Sequence, residues 1–453
     1  MSLDSRMLIH ILDECETSRI KYCVLRNYEE IPNNIGHDVD ILVAAKDYLA
    51  LVEIIGGTRG KFAVSIKKIW DKDGFYTYIL YSFEEGEMCQ LKLDIWIDLR
   101  WRGISWIDTD YILENREKCG ITYRPSPGCE AAVSMLKELV GGGDIPEKYY
   151  SKICNGIMND EEKFMSALKP IWDEYVVFFA NSIKNHEWEK IDNSKKKLRR
   201  YLLTYSFKNY MILRHFKQNI VTMYRKFSAI VYPTGKLVVI IGPDGSGKTT
   251  VIDGVKSDLK LLFPQISTYH TRLQIFPELR SGLGLSDLKK RNNKDEEGKA
   301  NTKKEGNSTE QEQSRISKIV SIVVLIYYTL EFVVGRPLIR NQKREGFLII
   351  FDRYYYDFFS QPYTRNLIWN YRKFLCKLVP TPDYIFHLYA DGKTVFERKG
   401  ELNIEEIDLQ NAILERLLCT EDKYYKLDTK QYNQQECIQI IEKIIIKGSI
   451  GEI

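Results

Sequence analysis

The chain has 453 residues, which exceeds one ordinary hydrophobic core and predicts two or three domains. Its 66 basic and 62 acidic residues nearly balance, so bulk charge does not favour nucleic acid as a partner. Nine scattered cysteines without a C-x-x-C pair and six histidines without ligand spacing disfavour a disulfide framework or a zinc site, and together with a start that lacks a long apolar segment they predict a cytoplasmic protein.

The first 126 residues are predicted to form an α+β domain. Apolar runs rich in β-branched and aromatic residues indicate strands, and two segments have helical spacing. The expected strands are Tyr22–Leu25, Val39–Val43, Phe62–Trp70, Tyr76–Tyr81 and Met88–Ile97, and the expected helices are 7–17 and Asp47–Ile55. This order predicts a mixed or antiparallel sheet.

The next segment, 127–230, has a helical pattern. The expected helices are Cys129–Val140, Tyr149–Met158, Glu161–Ile183 and a basic, tyrosine-rich stretch over 194–226. Three glycines, Gly141–Gly143, are a strong stop signal for the first helix. The run Lys195–Arg200 is compatible with a patch for nucleic acid or membrane, but such a run more often forms a solvated helix face, which is the interpretation we prefer.

A third domain, 235–453, is predicted around a glycine-rich loop between an apolar strand and a helix. The strand is Leu237–Ile241, and the loop Gly242-Pro-Asp-Gly-Ser-Gly-Lys-Thr-Thr250 fits the spacing G-x-x-x-x-G-K-[ST]. Glycines let backbone N–H groups curl round a phosphate, and the helix N-terminus adds partial positive charge. The sequence therefore predicts a nucleoside triphosphate site rather than a simple turn. The expected nucleotide-binding residues are Gly242, Asp244, Gly245, Ser246, Gly247, Lys248, Thr249 and Thr250.

Within that loop, two residues have specific expected tasks. Lys248 should reach the β- and γ-phosphates, and the Thr249 hydroxyl should bind Mg²⁺.

Two unusual segments interrupt this domain. Residues from about 285 to 315 are nearly devoid of apolar side chains and rich in Lys, Glu, Asn and Gly, which predicts a mobile loop. The following run, Ile316–Val334, is strongly apolar, but it includes Glu331 and is shorter than the roughly 20 residues of a membrane span. A buried core helix or a dimer-interface helix is therefore favoured over a membrane helix, and a homodimer is one expected state.

Strands and helices then alternate, which is typical of a parallel three-layer sheet. The expected strands are Ile266–His270, Phe347–Phe351 and Tyr384–Tyr389, and the expected helices are Asn366–Val379, Lys393–Arg398, Glu405–Cys419 and Cys437–Ile446.

Charged residues follow several of these strands, at the sheet edge where functional groups of such folds lie. Asp352 and Arg353 come directly after a strand. Asp352 is expected to act on Mg²⁺ and Arg353 to hold an anionic acceptor, in preference to a surface ion pair. Arg272 follows a shorter strand, and a substrate-binding role and a structural role suit it equally. Arg398, in the segment Glu397–Glu401, is a candidate to close over the phosphates and neutralise transition-state charge.

In the same order, these motifs resemble those of thymidylate kinase and related nucleoside-monophosphate kinases over residues 235–448. The matching segments are Gly242–Thr250, Asp352–Tyr354, Pro382–Leu388 followed by Glu397–Glu401, and Tyr425–Asp428 as a final strand. The resemblance implies a P-loop kinase that uses ATP and Mg²⁺ and phosphorylates a small molecule such as dTMP. It also implies that Asp244 contacts the acceptor or its neighbours, that Arg353 holds the acceptor phosphate, and that Arg398 is a lid arginine, so the expected catalytic residues are Lys248, Asp352, Arg353 and Arg398.

The chain departs from this family after its second strand. His270-Thr-Arg-Leu-Gln274 keeps only Thr-Arg of the family's Thr-Arg-Glu-Pro-Gly-Gly, and a long insertion follows. Similar chains with Asp-Arg-Tyr-Tyr-Tyr-Asp look like those encoded with bacterial surface-polysaccharide genes, so a sugar or lipid-linked acceptor is an alternative to dTMP. A further alternative is a nucleotide-gated regulatory or defence protein that uses the loop as a switch.

The first domain carries paired acidic residues. Asp38 and Asp40 are two residues apart, which places them on one face of a strand, and Asp94 is the preferred third acid, ahead of Asp98. Such a trio suits divalent metal, and two metal ions would clamp an in-line phosphoryl displacement. The alternative is an edge strand with solvated acids.

Together with the preceding Gly36 and the helical segment that follows, Asp38, Asp40 and Asp94 resemble the nucleotidyltransferase superfamily. The resemblance implies an α+β nucleotidyltransferase-like fold with these three residues on metal. The family's Gly-Ser is absent, because His37 stands at the expected serine, so catalytic activity of this domain stays open. The sequence as a whole thus predicts such a domain and a helical segment joined to an α/β P-loop kinase, either as a bifunctional enzyme or with a first domain that only binds a substrate or partner.

Overall fold

The structure is a computed structural model of the chain. It describes residues 1–72, 74–84, 87–208, 233–263, 265–277, 307–361, 369–399 and 403–449, together with 220, 223, 224 and 228. The chain divides into two compact units, Met1–Phe227 and Ser228–Ser449, which we call the N-terminal unit and the C-terminal unit.

The N-terminal unit is built on a five-stranded mixed sheet. Its strands are β1 (Tyr22–Val24), β2 (Val39–Val43), β3 (Ser65–Lys72), β4 (Phe75–Glu84) and β5 (Glu87–Trp96). They lie in the order β1-β2-β5-β4-β3, with β2 and β5 parallel and the other neighbours antiparallel. The parallel register pairs Asp40 with Asp94. Two short hairpins follow, β6 (Arg100–Trp101) with β7 (Ile104–Ser105) and β8 (Glu117–Cys119) with β9 (Thr122–Arg124).

The helices of this unit cover the sheet and extend its core. They are α1 (Leu3–Thr17), α2 (Tyr48–Phe62), α3 (Thr109–Glu114), α4 (Pro127–Gly141), α5 (Tyr150–Asn159), α6 (Glu161–Trp172), α7 (Val176–Lys184) and α8 (Trp188–Lys208). Cys23 and Leu42 of the sheet share one hydrophobic cluster with Leu136 of α4 and Leu198 of α8. The helical segment predicted after residue 126 therefore packs on the sheet as part of the same unit.

One predicted helix in this region is divided. The pattern over Glu161–Ile183 predicted a single helix, but a 3₁₀ turn at Asp173–Tyr175 separates α6 from α7. Pro170 has no N–H to donate, and the buried Trp172 is held by a 2.7 Å hydrogen bond from its indole N–H to the carbonyl oxygen of Trp106. The last predicted helix, 194–226, corresponds to α8, which begins earlier than predicted, at Trp188. The residues after Lys208 lie largely outside the described ranges.

The C-terminal unit is a parallel α/β structure, which confirms the predicted sheet type. Its strands are β10 (Lys236–Ile241), β11 (Ile266–His270), β12 (Leu348–Asp352), β13 (Tyr384–Tyr389) and β14 (Tyr424–Asp428). They form one sheet in the order β11-β12-β10-β13-β14, and every neighbouring pair is parallel. The helices are α9 (Lys248–Asp258), α10 (Asn307–Arg344), α11 (Trp369–Leu378), α12 (Gly392–Lys399), α13 (Ile404–Leu418) and α14 (Gln434–Lys447). Alternate residues of β10, at 237, 239 and 241, share a hydrophobic cluster with α10.

Helix α10 differs from its prediction at both ends. It runs from Asn307 to Arg344, whereas the apolar pattern predicted Ile316–Val334. The loop predicted over 285–315 lies outside the described residues up to 306, and its last part, 307–315, is helical, with the good helix formers Glu and Gln at 310–313.

The apolar part of α10 also bears on the membrane prediction. By length and composition, Ser321–Arg344 is the one described helix that could cross a membrane, with a mean hydropathy of 1.7 and 44% of its most apolar window buried inside the protein. Its side chains at 324, 325, 332 and 339 belong to the core of the C-terminal unit. A core helix passes the same test of length and composition, so the described residues contain no clear membrane span.

Candidate active site

The glycine-rich loop joins the central strand β10 to helix α9 in a conformation that requires its glycines. Gly242 has a φ of 149°, and a Cβ built on it would lie 2.4 Å from the carbonyl oxygen of Leu388. Gly247 has a φ of 88° and caps the N-terminus of α9. The loop therefore lies close against β13 and leads directly into the N-terminus of α9, which is the arrangement that an anion site needs.

Lys248 is the first residue of α9, and its side chain is buried under this loop. Its ammonium donates to the carbonyl oxygens of Gly242, at 2.9 Å, and Pro243, at 2.8 Å. Burial lowers the pKa of Lys248, and the neighbouring Arg353 lowers it further. The Oγ of Ser246 is buried and has no hydrogen-bond partner in the structure. An ammonium held at the loop and a spare buried hydroxyl are the groups that a phosphate chain would engage.

Arg353 is held at the end of β12 between two carboxylates. Its backbone has a φ of 67°, and its N–H donates to the carbonyl oxygen of Ile240 at 2.9 Å. One end of the guanidinium donates to Asp357 at 2.8 Å, and the other donates to Asp244 of the glycine-rich loop. Burial alone would lower the pKa of Arg353, but Asp357 and Asp244 raise it above the ordinary value, so the side chain is a fixed cation.

Asp352 and Thr249 are the two oxygen donors predicted to bind Mg²⁺. The Asp352 carboxylate accepts a hydrogen bond from His270 at 3.2 Å through one oxygen, while the buried second oxygen has no partner. Thr249 is exposed on the first turn of α9. Mg²⁺ is commonly held by one carboxylate or hydroxyl together with substrate phosphates, so these two residues fit that ion. Among the described residues, no cluster of three or more His, Cys, Asp and Glu residues could hold a metal by itself.

Arg398 lies on α12 and shares a cavity with the glycine-rich loop. The cavity has a volume of about 530 Å³. It is lined by Gly245, Ser246 and Gly247 on one side and by Arg398, Thr429 and Gln434 on the other. The guanidinium of Arg398 is exposed and donates to the Thr429 hydroxyl at 3.4 Å. The structure thus brings Arg398 to the same opening as the phosphate loop, and this side of the loop has room for the rest of a nucleotide.

Arg272 is placed differently from the other predicted residues. Its guanidinium lies 3.6 Å from the carboxylate of Glu331 on α10, donates to the carbonyl oxygen of Phe276 at 3.2 Å and stacks over the ring of Tyr328. Glu331 is fully buried and accepts a hydrogen bond from the N–H of Ile275 at 2.8 Å. This buried pair explains the acid within the apolar helix, and it places the guanidinium of Arg272 in the packing of α10.

In the N-terminal unit, the three predicted metal ligands converge, but they converge on two basic side chains. Arg26 donates to both Asp38, at 3.1 Å, and Asp40. Lys92 lies 3.0 Å from the carboxylate of Asp94 and 3.4 Å from that of Asp38. Burial raises the pKa of Asp94 against the opposing effects of Thr77 and Lys92, and burial would lower the pKa of Lys92 but its two carboxylate partners raise it. At 3.0 Å we assign an ion pair between Lys92 and Asp94.

Several functional residues were missed by the sequence argument. Asp357, which anchors Arg353, is the fourth residue after it in Asp352-Arg-Tyr-Tyr-Tyr-Asp357, but the i,i+4 rule for helices does not predict this contact, because Arg353 has a φ of 67° and Tyr354 is extended. Lys92 is two residues before Asp94 on β5, so the same-face rule that linked Asp38 to Asp40 also predicts its contact. The pairing of Arg272 with Glu331 has no such local signal, because it joins segments far apart in the chain.

Comparisons with known proteins do not assign the chain to a family. No protein-family model matches the chain, and no curated protein matches it. Among solved structures, the chain is similar to thymidylate kinase from Ehrlichia chaffeensis, with 15% sequence identity, a TM-score of 0.29, and coverage of 47% of this chain and 98% of that chain. The function is therefore inferred from the residues of the site.

Proposed function

We propose that the C-terminal unit is an ATP-dependent phosphotransferase of the nucleoside-monophosphate kinase type. The observation that carries this proposal is that the side chains of Lys248 and Arg353 approach the same carboxylate oxygen. Oδ1 of Asp244 lies 3.7 Å from the Lys248 ammonium and also accepts a hydrogen bond from Arg353. A cation on the phosphate loop and a cation at the end of the neighbouring strand therefore flank one anionic group, which is the arrangement that a phosphoryl group passing from donor to acceptor needs.

The residues have distinct tasks in this proposal. The loop N–H groups and Lys248 bind the β- and γ-phosphates of ATP, and Arg353 holds the phosphate of the acceptor. Thr249 and Asp352 would hold Mg²⁺, which neutralises charge on the phosphates when it is bound. Arg398, at the mouth of the cavity, can move onto the phosphates as the site closes. No covalent intermediate is required, because positioning and charge neutralisation account for the catalysis.

The acceptor is proposed by chemical class. A guanidinium held by carboxylates at the end of β12 suits a phosphorylated small molecule, because it offers paired donors to a phosphate. A nucleoside monophosphate such as dTMP is the first candidate, and a phosphorylated sugar is the second. A cytoplasmic location, a homodimer and a nucleotidyltransferase-like N-terminal fold stay predictions, the last supported by the pairing of Asp40 with Asp94.

The test is a screen of ATP-dependent phosphorylation over nucleoside monophosphates and phosphorylated sugars, read by mass spectrometry. Lys248→Ala should reduce transfer by about 100-fold or more, as expected for loss of a charged group that stabilises the transition state. Lys256→Ala is the matched control, because Lys256 lies on the same helix, is partly exposed and pairs with Asp253. Full transfer by the Lys248→Ala variant would contradict the assignment.

A further inference from the structure

The acidic trio of the N-terminal unit has no carboxylate oxygen left without a protein partner. Asp38 accepts from Arg26 with both oxygens, at 3.2 and 3.1 Å. Asp40 accepts from Arg26 and, at 2.9 Å, from the indole N–H of Trp96. Asp94 accepts from the Thr77 hydroxyl at 2.6 Å and pairs with Lys92 at 3.0 Å. All six oxygens are therefore engaged by protein donors.

The two cations are placed by the sheet and do not reach the trio by chance. Lys92 and Asp94 are two residues apart on β5, so they share a face of the sheet. Arg26 follows β1, and the neighbouring Leu25 donates its N–H to the carbonyl oxygen of Asp40 at 2.9 Å, which fixes the chain beside β2. The backbone thus holds one cation on each side of the carboxylates.

A divalent ion would have to compete with these cations. It needs free oxygen ligands at short range, and it would stand within a few ångströms of two positive charges in a largely buried site, where their repulsion is weakly screened. The relative exposure of the side chains is 3% for Asp40 and 8% for Asp94, so water offers little compensation. The residues present do not fit a two-metal centre.

We propose that Arg26 and Lys92 occupy the places that divalent cations would take in a nucleotidyltransferase-like centre, and that the N-terminal unit is a metal-independent, non-catalytic module. The inference is independent of the kinase proposal, because it concerns residues of the N-terminal unit alone. A non-catalytic N-terminal unit excludes the hypothesis of a bifunctional enzyme and leaves this unit with a binding or structural role.

The test measures Mn²⁺ binding to the full-length protein without nucleotide, by electron paramagnetic resonance of the free ion. The wild type should show no Mn²⁺ site that depends on Asp94. Lys92→Met, which frees one oxygen of Asp94 and removes one of the two cations beside Asp38, should gain a site at least 10-fold tighter than any in the wild type, and the added change Asp94→Asn should remove it. Lys46→Met, at an exposed lysine before α2, is the control for simple loss of positive charge.

Two results would overturn the proposal. One is a wild-type Mn²⁺ site that Asp94→Asn abolishes, and the other is a folded Lys92→Met protein that gains no site. If Lys92→Met fails to fold, the test is made on the wild type instead, by measuring pyrophosphate release from each nucleoside triphosphate. Metal-dependent release that Asp38→Asn/Asp40→Asn abolishes would contradict the inference, and its absence would support it.

Discussion

The guanidinium of Arg353 donates to the buried carboxylate of Asp357 over 2.8 Å, four residues further along the chain. Asp357 has a side-chain exposure of 6%, and burial raises its pKa against the opposing effects of Arg353 and Lys248. A buried acid beside a cation of the site acts as a fixed support, whereas Asp244, at 46%, is open to solvent on the loop. Arg353 therefore has one fixed partner, Asp357, and one partner that a ligand could replace, Asp244.

Replacing Asp357 by Asn should weaken acceptor binding more than ATP binding. Asn keeps the shape and can still accept from Arg353, but it loses the charge that fixes the guanidinium. A charge-assisted hydrogen bond contributes about 1.5–3 kcal/mol, so the KM for the acceptor should rise about 10- to 100-fold. Steady-state kinetics with each substrate varied in turn will show the split. An equal rise in both KM values would indicate general damage, and Asp253→Asn, at an exposed site on α9, is the control.

Asp244→Asn should have the opposite effect on anions that compete for Arg353. In the structure the loop carboxylate occupies one end of the guanidinium, so an incoming phosphate has to displace it. Removing its charge should tighten inhibition by inorganic tripolyphosphate several-fold, because one competitor for the cation is lost. Weaker inhibition by tripolyphosphate in this variant would show that Asp244 assists anion binding.

Arg272 and Glu331 form a buried pair whose loss on one side should be costly. Glu331→Ala leaves the arginine without its counter-charge and should lower the free energy of unfolding by about 3–5 kcal/mol. The double change Arg272→Met/Glu331→Leu replaces the pair by apolar groups and should restore most of that stability. Denaturant unfolding of the three variants measures this.

The same double variant decides whether Arg272 binds substrate. An unchanged KM for the acceptor is expected if Arg272 is structural, as its contacts indicate. A large rise in that KM in a stable double variant would restore the substrate-binding role that the sequence left open.

Glu442 of α14 should make stability fall as pH rises. Its side chain is 1% exposed, and burial, together with the neighbouring Asp258 of α9, raises its pKa to about 9 from 4.5. Between these two values the unfolded chain is ionised while the folded protein keeps the proton. The contribution of protonated Glu442 to the free energy of unfolding is therefore complete below pH 4.5. It decreases as the pH rises towards 9, by up to about 1.4 kcal/mol per pH unit.

Glu442→Gln removes this titration. The variant should gain stability over the wild type at pH 8 and show little difference at pH 5, as measured by thermal unfolding at both values. A difference that does not change with pH would contradict the assigned proton on Glu442.

Local sequence patterns predicted most strands of the C-terminal unit, but they predicted fewer of the contacts in the candidate active site. The run Leu237–Ile241 and the glycine spacing after it predicted both strand and loop, because apolar burial and positive φ are properties of a few adjacent residues. Asp352 and Arg353 were predicted at the end of a strand for the same reason. Their partners could not be assigned from spacing alone, because Asp244 and Arg353 are 109 residues apart and meet only once β10 and β12 pair.

The acidic trio shows the other limit of sequence reasoning. The same-face rule predicted that Asp38 and Asp40 share one side of a strand, and the parallel register of β2 with β5 in the structure pairs Asp40 with Asp94. The same-face rule also places Lys92 beside Asp94 on β5, but it says nothing of Arg26, which reaches Asp38 and Asp40 from the end of β1. A pattern that indicates a metal site and a pattern that indicates an ion-pair network therefore look alike in the sequence.

The central claim is that the C-terminal unit transfers the γ-phosphoryl group of ATP to a phosphorylated small molecule. Its most direct test is ³¹P nuclear magnetic resonance of ATP turnover by the wild type, with and without dTMP or a phosphorylated sugar. The account predicts that one acceptor accelerates ADP formation and that the new phosphorus signal belongs to the acceptor. If no acceptor changes the rate and all transferred phosphorus appears as inorganic phosphate, the kinase assignment is contradicted and the loop serves as a hydrolytic switch.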